Sequence, residues 1–461
     1  MPAHMPTEMM TMKETRPVIR QHVPARAALQ ALTVAFAFVA LVALAPFARA
    51  MEIQRVVSPG GIEAWLVEEH SIPLIAVNFA FSGGSAQDPE GKAGVANMVS
   101  GLLDEGAGDL DSKAFQERLQ DTSVQLSFSE GRDAFYGSLR TLTTNLSEGA
   151  DLLKLAVNEP RFDAEPVERI RAQVLSSIRR NEKDPDNIAS RVWFKTAFPK
   201  HPYGNPSKGT EDTVKKITVD DLKAFRKDVF ARENLKIAVV GAIDAETVGK
   251  LVDEVFGDLP EKANLTEVPD VSPVTGARNV ESMAIPQTVI RFGGAGLKRA
   301  DKDFVPAYVM NHILGGGSFT SRLYEEVREK RGLAYSVYTY LAPMDHAGIF
   351  LGGTATRSGR ADETLKLIRA EIRRMAEEGP TAEELEKAKK YLIGSYPLRF
   401  DASSKIAEAL VAIQQEDLGI DYIDKRNDLI EAVTLEDVKR AAKRVLAGGD
   451  LTISVVGQSS S

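Results

Sequence analysis

Ile217 to Gly241 reads ITVDDLKAFRKDVFARENLKIAVVG, and Val433 to Gly457 reads VTLEDVKRAAKRVLAGGDLTISVVG. Aligned without gaps, the two share roughly 11 identities in about 25 positions, too many for chance at that length. Thr218 and Thr434 each stand just before an acidic first turn, the position of a helix N-cap, and each segment closes on a β-branched run ending at glycine. Each is therefore a helix feeding a buried strand. The pair reads as an ancient duplication of a unit of about 200 residues.

Working outward, Ile62 to Val67 and Leu74 to Phe81 alternate as strands do, and Ala93 to Leu103 and Val167 to Arg180 carry helical spacing. In the second unit Thr288 to Phe292 and Tyr335 to Leu341 read as strands. Phe304 to Leu314, Ala361 to Glu377 and Ala382 to Leu392 read as helices. Strands and helices mix without strict βαβ alternation, which predicts an α+β fold. Glu261 to Arg278 is rich in Pro, Thr and small polar residues, so the linker is placed at 263–278, between units spanning 51–262 and 279–461.

The 461 residues suffice for two packed domains and have a globular, not a disordered, composition. Ala27 to Ala45 is almost wholly apolar, preceded by Arg16, Arg20 and Arg26 and followed by Pro46 and Ala48-Arg49-Ala50. That layout predicts a signal peptide over 1–50, cleaved after Ala50, and a periplasmic protein. An inner-membrane anchor is the competing reading, because the apolar run is long. Without residues 1–50 the formal charge moves from −8 to about −11, which makes nucleic acid an unsuitable partner. There is no cysteine, so neither disulfides nor thiolate metal sites are available.

Several landmarks resemble those of the pitrilysin, insulinase and mitochondrial-processing-peptidase family of zinc metallopeptidases, over nearly all of the chain beyond residue 50. They are Phe81-Ser-Gly-Gly-Ser-Ala-Gln-Asp, Gly91-Lys-Ala-Gly-Val-Ala, His201-Pro-Tyr-Gly with Gly209-Thr210, and the long run from Leu314 to Val337, LGGGSFTSRLYEEVREKRGLAYSV. The last is the specific one. The resemblance implies two duplicated, sandwich-like α/β units that form half of a clamshell around a peptide chamber.

Active members of that family carry H-x-x-E-H on a helix. Two His on adjacent turns of one face hold zinc, and the Glu between them polarises the metal-bound water. Aligned on Gly94-Val95-Ala96, this chain has Asn97, Ser100 and Gly101 at those positions, and Ser177 where the third ligand would fall. His70, His201, His312 and His346 are the histidines beyond residue 50, and no two have helical metal-ligand spacing. A loop role is expected for His201, and packing or capping for His312. No metal is expected on this chain.

Arg328 and Tyr335 match the Arg and Tyr that, in active members, reach substrate at the zinc site. A guanidinium and a phenol supply donors to the oxyanion and to neighbouring carbonyls during amide cleavage. Without the match, an Arg on an amphipathic helix and a Tyr at a strand edge would be solvated face and packing. Gly315-Gly316-Gly317-Ser318 resembles the substrate-contacting glycine loop of non-catalytic processing-peptidase subunits, with glycine permitting positive φ and close approach of backbone to a peptide; a plain helix-ending turn fits equally. The expected function is a non-catalytic subunit that binds unfolded peptides and completes the site of a separate H-x-x-E-H partner, with zinc in that partner. A peptide-binding scaffold and an autonomous peptidase with unconventional ligands are the alternatives.

Overall fold

The computed structural model describes residues 51–447 and 450–458, so the signal-peptide expectation lies outside the described residues. Two sheets form the frame. The first, in the order β1-β2-β6-β3-β5-β4, contains β1 (Gln54–Val57), β2 (Glu63–Glu68), β3 (Leu74–Ser82), β4 (Gln125–Glu130), β5 (Ala134–Leu142) and β6 (Leu235–Gly241). The second, β7-β11-β8-β10-β9, contains β7 (Arg278–Ser282), β8 (Gln287–Ala295), β9 (Ala334–Pro343), β10 (Gly348–Arg357) and β11 (Thr452–Gly457). Apart from the extra edge strand β1, the two have one topology. β2 and β7 run parallel to β6 and β11, and every other pairing is antiparallel.

The repeated segments occupy equivalent places. Thr218 caps the helix Val219–Val229 and Thr434 caps Leu435–Leu446, each through a reciprocal capping box with the Asp three residues on. The strands that follow are β6 and β11, and both end on a glycine at positive φ, Gly241 at 148° and Gly457 at 137°. A Cβ there would lie 2.1 Å from the Leu74 carbonyl oxygen and 2.8 Å from Thr288 Cα, so the chain leaves each central strand where only glycine passes.

What joins the halves is an exchange of equivalent helices. Pro185–Ala197, from the first half, lies on β8 and β11; Ser403–Gln415, from the second, lies on β3 and β6. The strand period of two explains how. Along β3, Ile75, Val77, Phe79 and Phe81 fill the large core of the first half. The small Ala76 and Ala80 point the other way and leave room for the borrowed helix. Along β8, Ile290 and Phe292 fill the second core, while Val289 packs with Ile188 and Ala189 of the borrowed helix. A Cβ on Gly293 would sit 3.0 Å from the Trp193 ring. Trp193 is fully buried, and its indole N–H donates to the Thr452 carbonyl at 3.1 Å. In the opposite sense the Gln414 amide donates to the Ile237 carbonyl at 2.9 Å. Because each sheet needs the other half's helix for cover, the chain from Ile53 onward forms one compact body.

The linker carries no helix or strand up to Ala277, and β7 already begins at Arg278. It is pinned rather than loose: Thr266 N–H donates to Gln87, Val271 N–H to the His346 carbonyl and Val274 N–H to the Ala197 carbonyl. The helix expected over Ala93 to Leu103 is shorter, Val95–Ser100. Ser100 Oγ bonds back to the Asn97 carbonyl at 2.8 Å, and Leu102 N–H turns to Val99, so the ladder tightens and ends at Gly101.

Trp193→Ala opens a cavity and removes the hydrogen bond to the Thr452 carbonyl, which predicts a loss of about 3–5 kcal/mol in urea unfolding. A loss below about 1 kcal/mol would show that the exchange is not a main support of the fold.

Candidate functional site

In the first half the degenerate positions lie on two helices. Asn97 and Ser100 lie on Val95–Ser100, Gly101 ends that helix, and Ser177 lies on Ala164–Asn181. The short helix is anchored at its N-terminus by the half-buried Asp88 carboxylate, which accepts from Gly94 N–H at 2.7 Å and Ala96 N–H at 2.8 Å. Burial pushes the Asp88 pKa up to about 7 against those hydrogen bonds. Ser100 Oγ also lies 3.3 Å from Glu130 on β4, the outer strand of the first sheet. A Cβ on Gly101 would lie 3.2 Å from Ile170 Cγ2. No hydrogen bond among the described residues joins Ser177 to the other three. Zinc needs imidazole, carboxylate or thiolate ligands around one point. Among the described residues no three His, Cys, Asp or Glu side chains are grouped to hold a metal ion, so this half does not fit one.

The histidines are spent elsewhere. His201 Nδ1 accepts from Tyr203 N–H at 3.2 Å, so Nε2 carries the proton and faces the Pro269 carbonyl at 2.9 Å, tying its loop to the linker. His312 is buried and its ring stacks on Tyr391 at 5.1 Å. Burial lowers the pKa of both.

In the second half the expected residues do come together. The run from Asn311 to Arg331 folds as two widened turns around an exposed loop. His312–Gly316 closes with Gly317 N–H on the His312 carbonyl, and Tyr324–Glu329 closes with Lys330 N–H on Glu325, both bonds spanning five residues. Arg328 therefore sits on a π-helical turn, not a regular amphipathic helix. Such turns insert one extra residue, rotate the side chains that follow and are frequent at functional sites.

The glycines of the loop serve close packing rather than positive φ. A Cβ on Gly315 would lie 2.5 Å from Thr339 Oγ1, on Gly316 2.7 Å from Asn311 Nδ2 and on Gly317 2.7 Å from the His312 carbonyl oxygen. It is Ser318 that adopts positive φ, at 48°. The loop is thus clamped onto the inner face of β9 and ends in the exposed Phe319.

β9 is an outer strand, unpaired beyond β10 among the described residues. Its register slips once: Val337 stands opposite Thr354 and Ala334 opposite Thr356, so Tyr335 and Ser336 together face Ala355. The β10 threonines brace this bulge, Thr354 Oγ1 donating to the Ser336 carbonyl at 2.8 Å and Thr356 Oγ1 to the Leu333 carbonyl at 2.7 Å. A bulge re-aims a side chain. Tyr335 is 82% exposed, and its ring lies 5.0 Å from the Arg328 guanidinium, which also faces Tyr324 at 4.7 Å and Phe319 at 5.9 Å. The only ion-pair contact of Arg328 among the described residues is a long one, 3.5 Å to Glu329. Three rings hold the guanidinium without consuming its N–H donors, and the Tyr335 hydroxyl makes no hydrogen bond among the described residues. The arrangement presents several donors beside a free strand edge, suited to carbonyl oxygens of an extended peptide. Phe319 and Tyr324 were not singled out by sequence reasoning, although both lie inside the Leu314–Val337 motif.

An ion pair between the buried Arg322 and the half-buried Glu384 sets this segment in place. Arg322 donates to both Glu384 oxygens, at 2.6 and 2.7 Å, and to the Gly379 carbonyl at 3.0 Å. Glu384 is also the capping-box residue of the helix Ala382–Gly394. Burial acts to raise the Glu384 pKa but is outweighed by Arg322 and the Thr381 N–H, which bring it to about 2. A depressed carboxylate stabilises above its unfolded pKa, so this contribution is complete above about pH 4.5 and is lost as pH falls toward 2. Glu384→Gln should flatten the acid limb of the stability profile over that window, and an unchanged limb would remove the pair from this role. Gly315→Ala should cost about 1–3 kcal/mol by overpacking, whereas Gly394→Ala, with open space around it, should stay within about 0.5 kcal/mol. Equal effects in denaturant melts would contradict the clamp.

Comparison with known proteins bears on the family and the fold. Residues 66–211 match the family model described as Insulinase (Peptidase family M16), and residues 216–392 match the one described as Peptidase M16 inactive domain. A Helicobacter pylori protein named "Non-peptidase homolog YmxG" is 26% identical over 390 residues, covering 84% of this chain and 90% of that protein. A Streptomyces coelicolor protein named "Uncharacterized zinc protease SCO5738" is 26% identical over 419 residues, covering 88% and 89%. Among solved structures, a peptidase M16 inactive domain from Pseudomonas fluorescens superposes with a TM-score of 0.84 at 28% identity, over 89% of this chain and 98% of that one. With the doubled α+β fold, the motif from Leu314 to Val337 and both halves matched, the chain belongs to the insulinase (M16) peptidase family, as a member that lacks the family's zinc-binding motif.

Proposed function

We propose that this chain is the substrate-positioning subunit of a two-chain peptidase, acting in the periplasm beside a separate H-x-x-E-H subunit that holds the zinc. One observation carries the reading: Arg328 and Tyr335 are gathered on a bulged, unpaired strand edge, in a chain whose first half has Asn97, Ser100, Gly101 and Ser177 in place of ligands and base. An extended peptide pairs with the outer edge of β9. The Arg328 guanidinium and the Tyr335 O–H donate to its carbonyl oxygens, orienting the scissile bond toward the partner and stabilising charge that builds on the oxygen. The clamped glycine loop and Ser318 border the same edge. The Pseudomonas fluorescens structure is titled an inactive domain, which supports a division of labour between chains.

The name of the Helicobacter pylori relative favours a second reading, a peptide-binding protein with no proteolytic role. The first requires that the purified chain alone cleaves no peptide and that adding the H-x-x-E-H subunit yields cleavage. In the reconstituted pair, removing one such donor by Tyr335→Phe or Arg328→Ala should lower kcat by about 10²–10³. Binding without any rescued cleavage would support the second reading, and full activity of the isolated chain would overturn both.

A further inference from the structure

A second site lies wholly within the second half, away from β9's outer edge. A cavity of about 370 Å³ opens between the helices Phe304–Asn311, Ser403–Gln415 and Tyr422–Glu431, a size in the range of small-molecule pockets, about 300–1,000 Å³. Its walls are mostly apolar, with Tyr308, Tyr396 and Tyr422 contributing ring faces, yet it also holds the guanidinium groups of Arg299 and Arg426.

Arg426 is 94% buried by its 6% residual exposure, and its ring neighbours are Tyr396 at 4.0 Å and Tyr308 at 5.9 Å. One of its terminal nitrogens, Nη1, is committed to the Leu392 carbonyl at 2.9 Å and Asn427 Oδ1 at 3.1 Å. The Nε and Nη2 groups have no hydrogen-bond partner among the described residues. Arg299 rests on Phe304 at 4.5 Å and donates through Nη2 to the Tyr422 hydroxyl oxygen at 2.6 Å, which leaves the Tyr422 proton free to be donated onward. Neither arginine forms an ion pair among the described residues. A buried guanidinium without a carboxylate is costly, and proteins keep such a group where an anion completes it. Arg399 adds a third positive charge at the exposed side of the cavity, and Glu416 supplies a single opposing carboxyl.

From this geometry we infer that the cavity is a binding site for a carboxylate attached to a bulky apolar body, the carboxylate bridging Arg299, Tyr422 and Arg426 and the body lying among the aromatic rings. The fork of N–H donors matches two carboxylate oxygens. Glu416 disfavours a dianion such as phosphate, and burial raises its own pKa, which weakens its opposition to a monoanion. The same chemistry is offered by the C-terminal residue of a peptide and by a fatty acid. The site is independent of the zinc question and of Arg328 and Tyr335.

Calorimetric titration of the full chain with N-acetylphenylalanine, with its primary amide and with octanoate tests the assignment. One carboxylate should bind saturably at one site per chain, and the amide should bind at least about tenfold more weakly, the equivalent of one lost charge-assisted hydrogen bond. Preference for N-acetylphenylalanine identifies a peptide terminus, and preference for octanoate a fatty acid. Arg299→Met, whose side chain does not support the Leu392 carbonyl, should weaken binding about tenfold without lowering the melting temperature, and Glu416→Gln should tighten it. Arg426→Met should abolish binding; should it fail to fold, Arg299→Met decides. The assignment is overturned if neither carboxylate binds saturably, if acid and amide bind alike, or if folded Arg299→Met retains wild-type affinity.

Discussion

Everything in this molecule rests on the exchange of two equivalent helices. A sheet with one face covered by its own helices still exposes the other, and each half leaves small residues on that second face where the borrowed helix lies. Ala76 and Ala80 on β3, and Gly293 on β8, are too small to close a core alone, and the helix that completes each comes from the other half. Trp193 is the plainest case: it belongs to the first half by sequence, is buried in the second, and hydrogen bonds to a backbone carbonyl of the duplicated strand. Neither unit is therefore a self-sufficient domain, and the free edge of β9 is held rigidly relative to the first sheet.

That rigidity is what the proposed substrate-positioning role requires. Donors aimed at a developing charge are useful only when their positions are set before the substrate arrives. Here the setting is layered. The helix exchange holds the sheet, the Arg322–Glu384 pair holds the segment to the helix Ala382–Gly394, the glycines hold the loop against Thr339, and the bulge turns Tyr335 outward. The first half has gone the other way. Ser100 and Gly101 bring the helix Val95–Ser100 to an early end, and a side chain at 101 would press on Ile170.

How much of this was legible in the sequence depends on the range of the interaction. The duplication, the capping threonines and the central strands were readable, because a capping box and a strand period are local patterns. The Arg328 and Tyr335 pairing was readable only through resemblance, since nothing local places a guanidinium over a ring seven residues on. The positive φ expected of the glycine loop is absent from Gly315, Gly316 and Gly317: composition shows that a Cβ is missing, whereas only the fold shows that Thr339, Asn311 and His312 exclude it. The π-turns and the bulge at Tyr335 and Ser336 were invisible, because each is a one-residue insertion in an otherwise ordinary pattern. The cavity at Arg299 and Arg426 escaped for another reason: the two residues are far apart in sequence, one on the loop before Phe304 and one on the helix Tyr422–Glu431, and only tertiary packing puts both in one lining.

In the proposed role the Tyr335 hydroxyl meets the substrate where its bond is cut. The most direct test of that role replaces Tyr335 by a photoreactive benzoylphenylalanine and maps the crosslinks to a defined peptide in the presence of the H-x-x-E-H subunit. The account predicts that label on the peptide concentrates within a residue or two of the scissile bond. Crosslinks confined to the partner's surface, or scattered along the peptide without relation to the cleavage point, would contradict it.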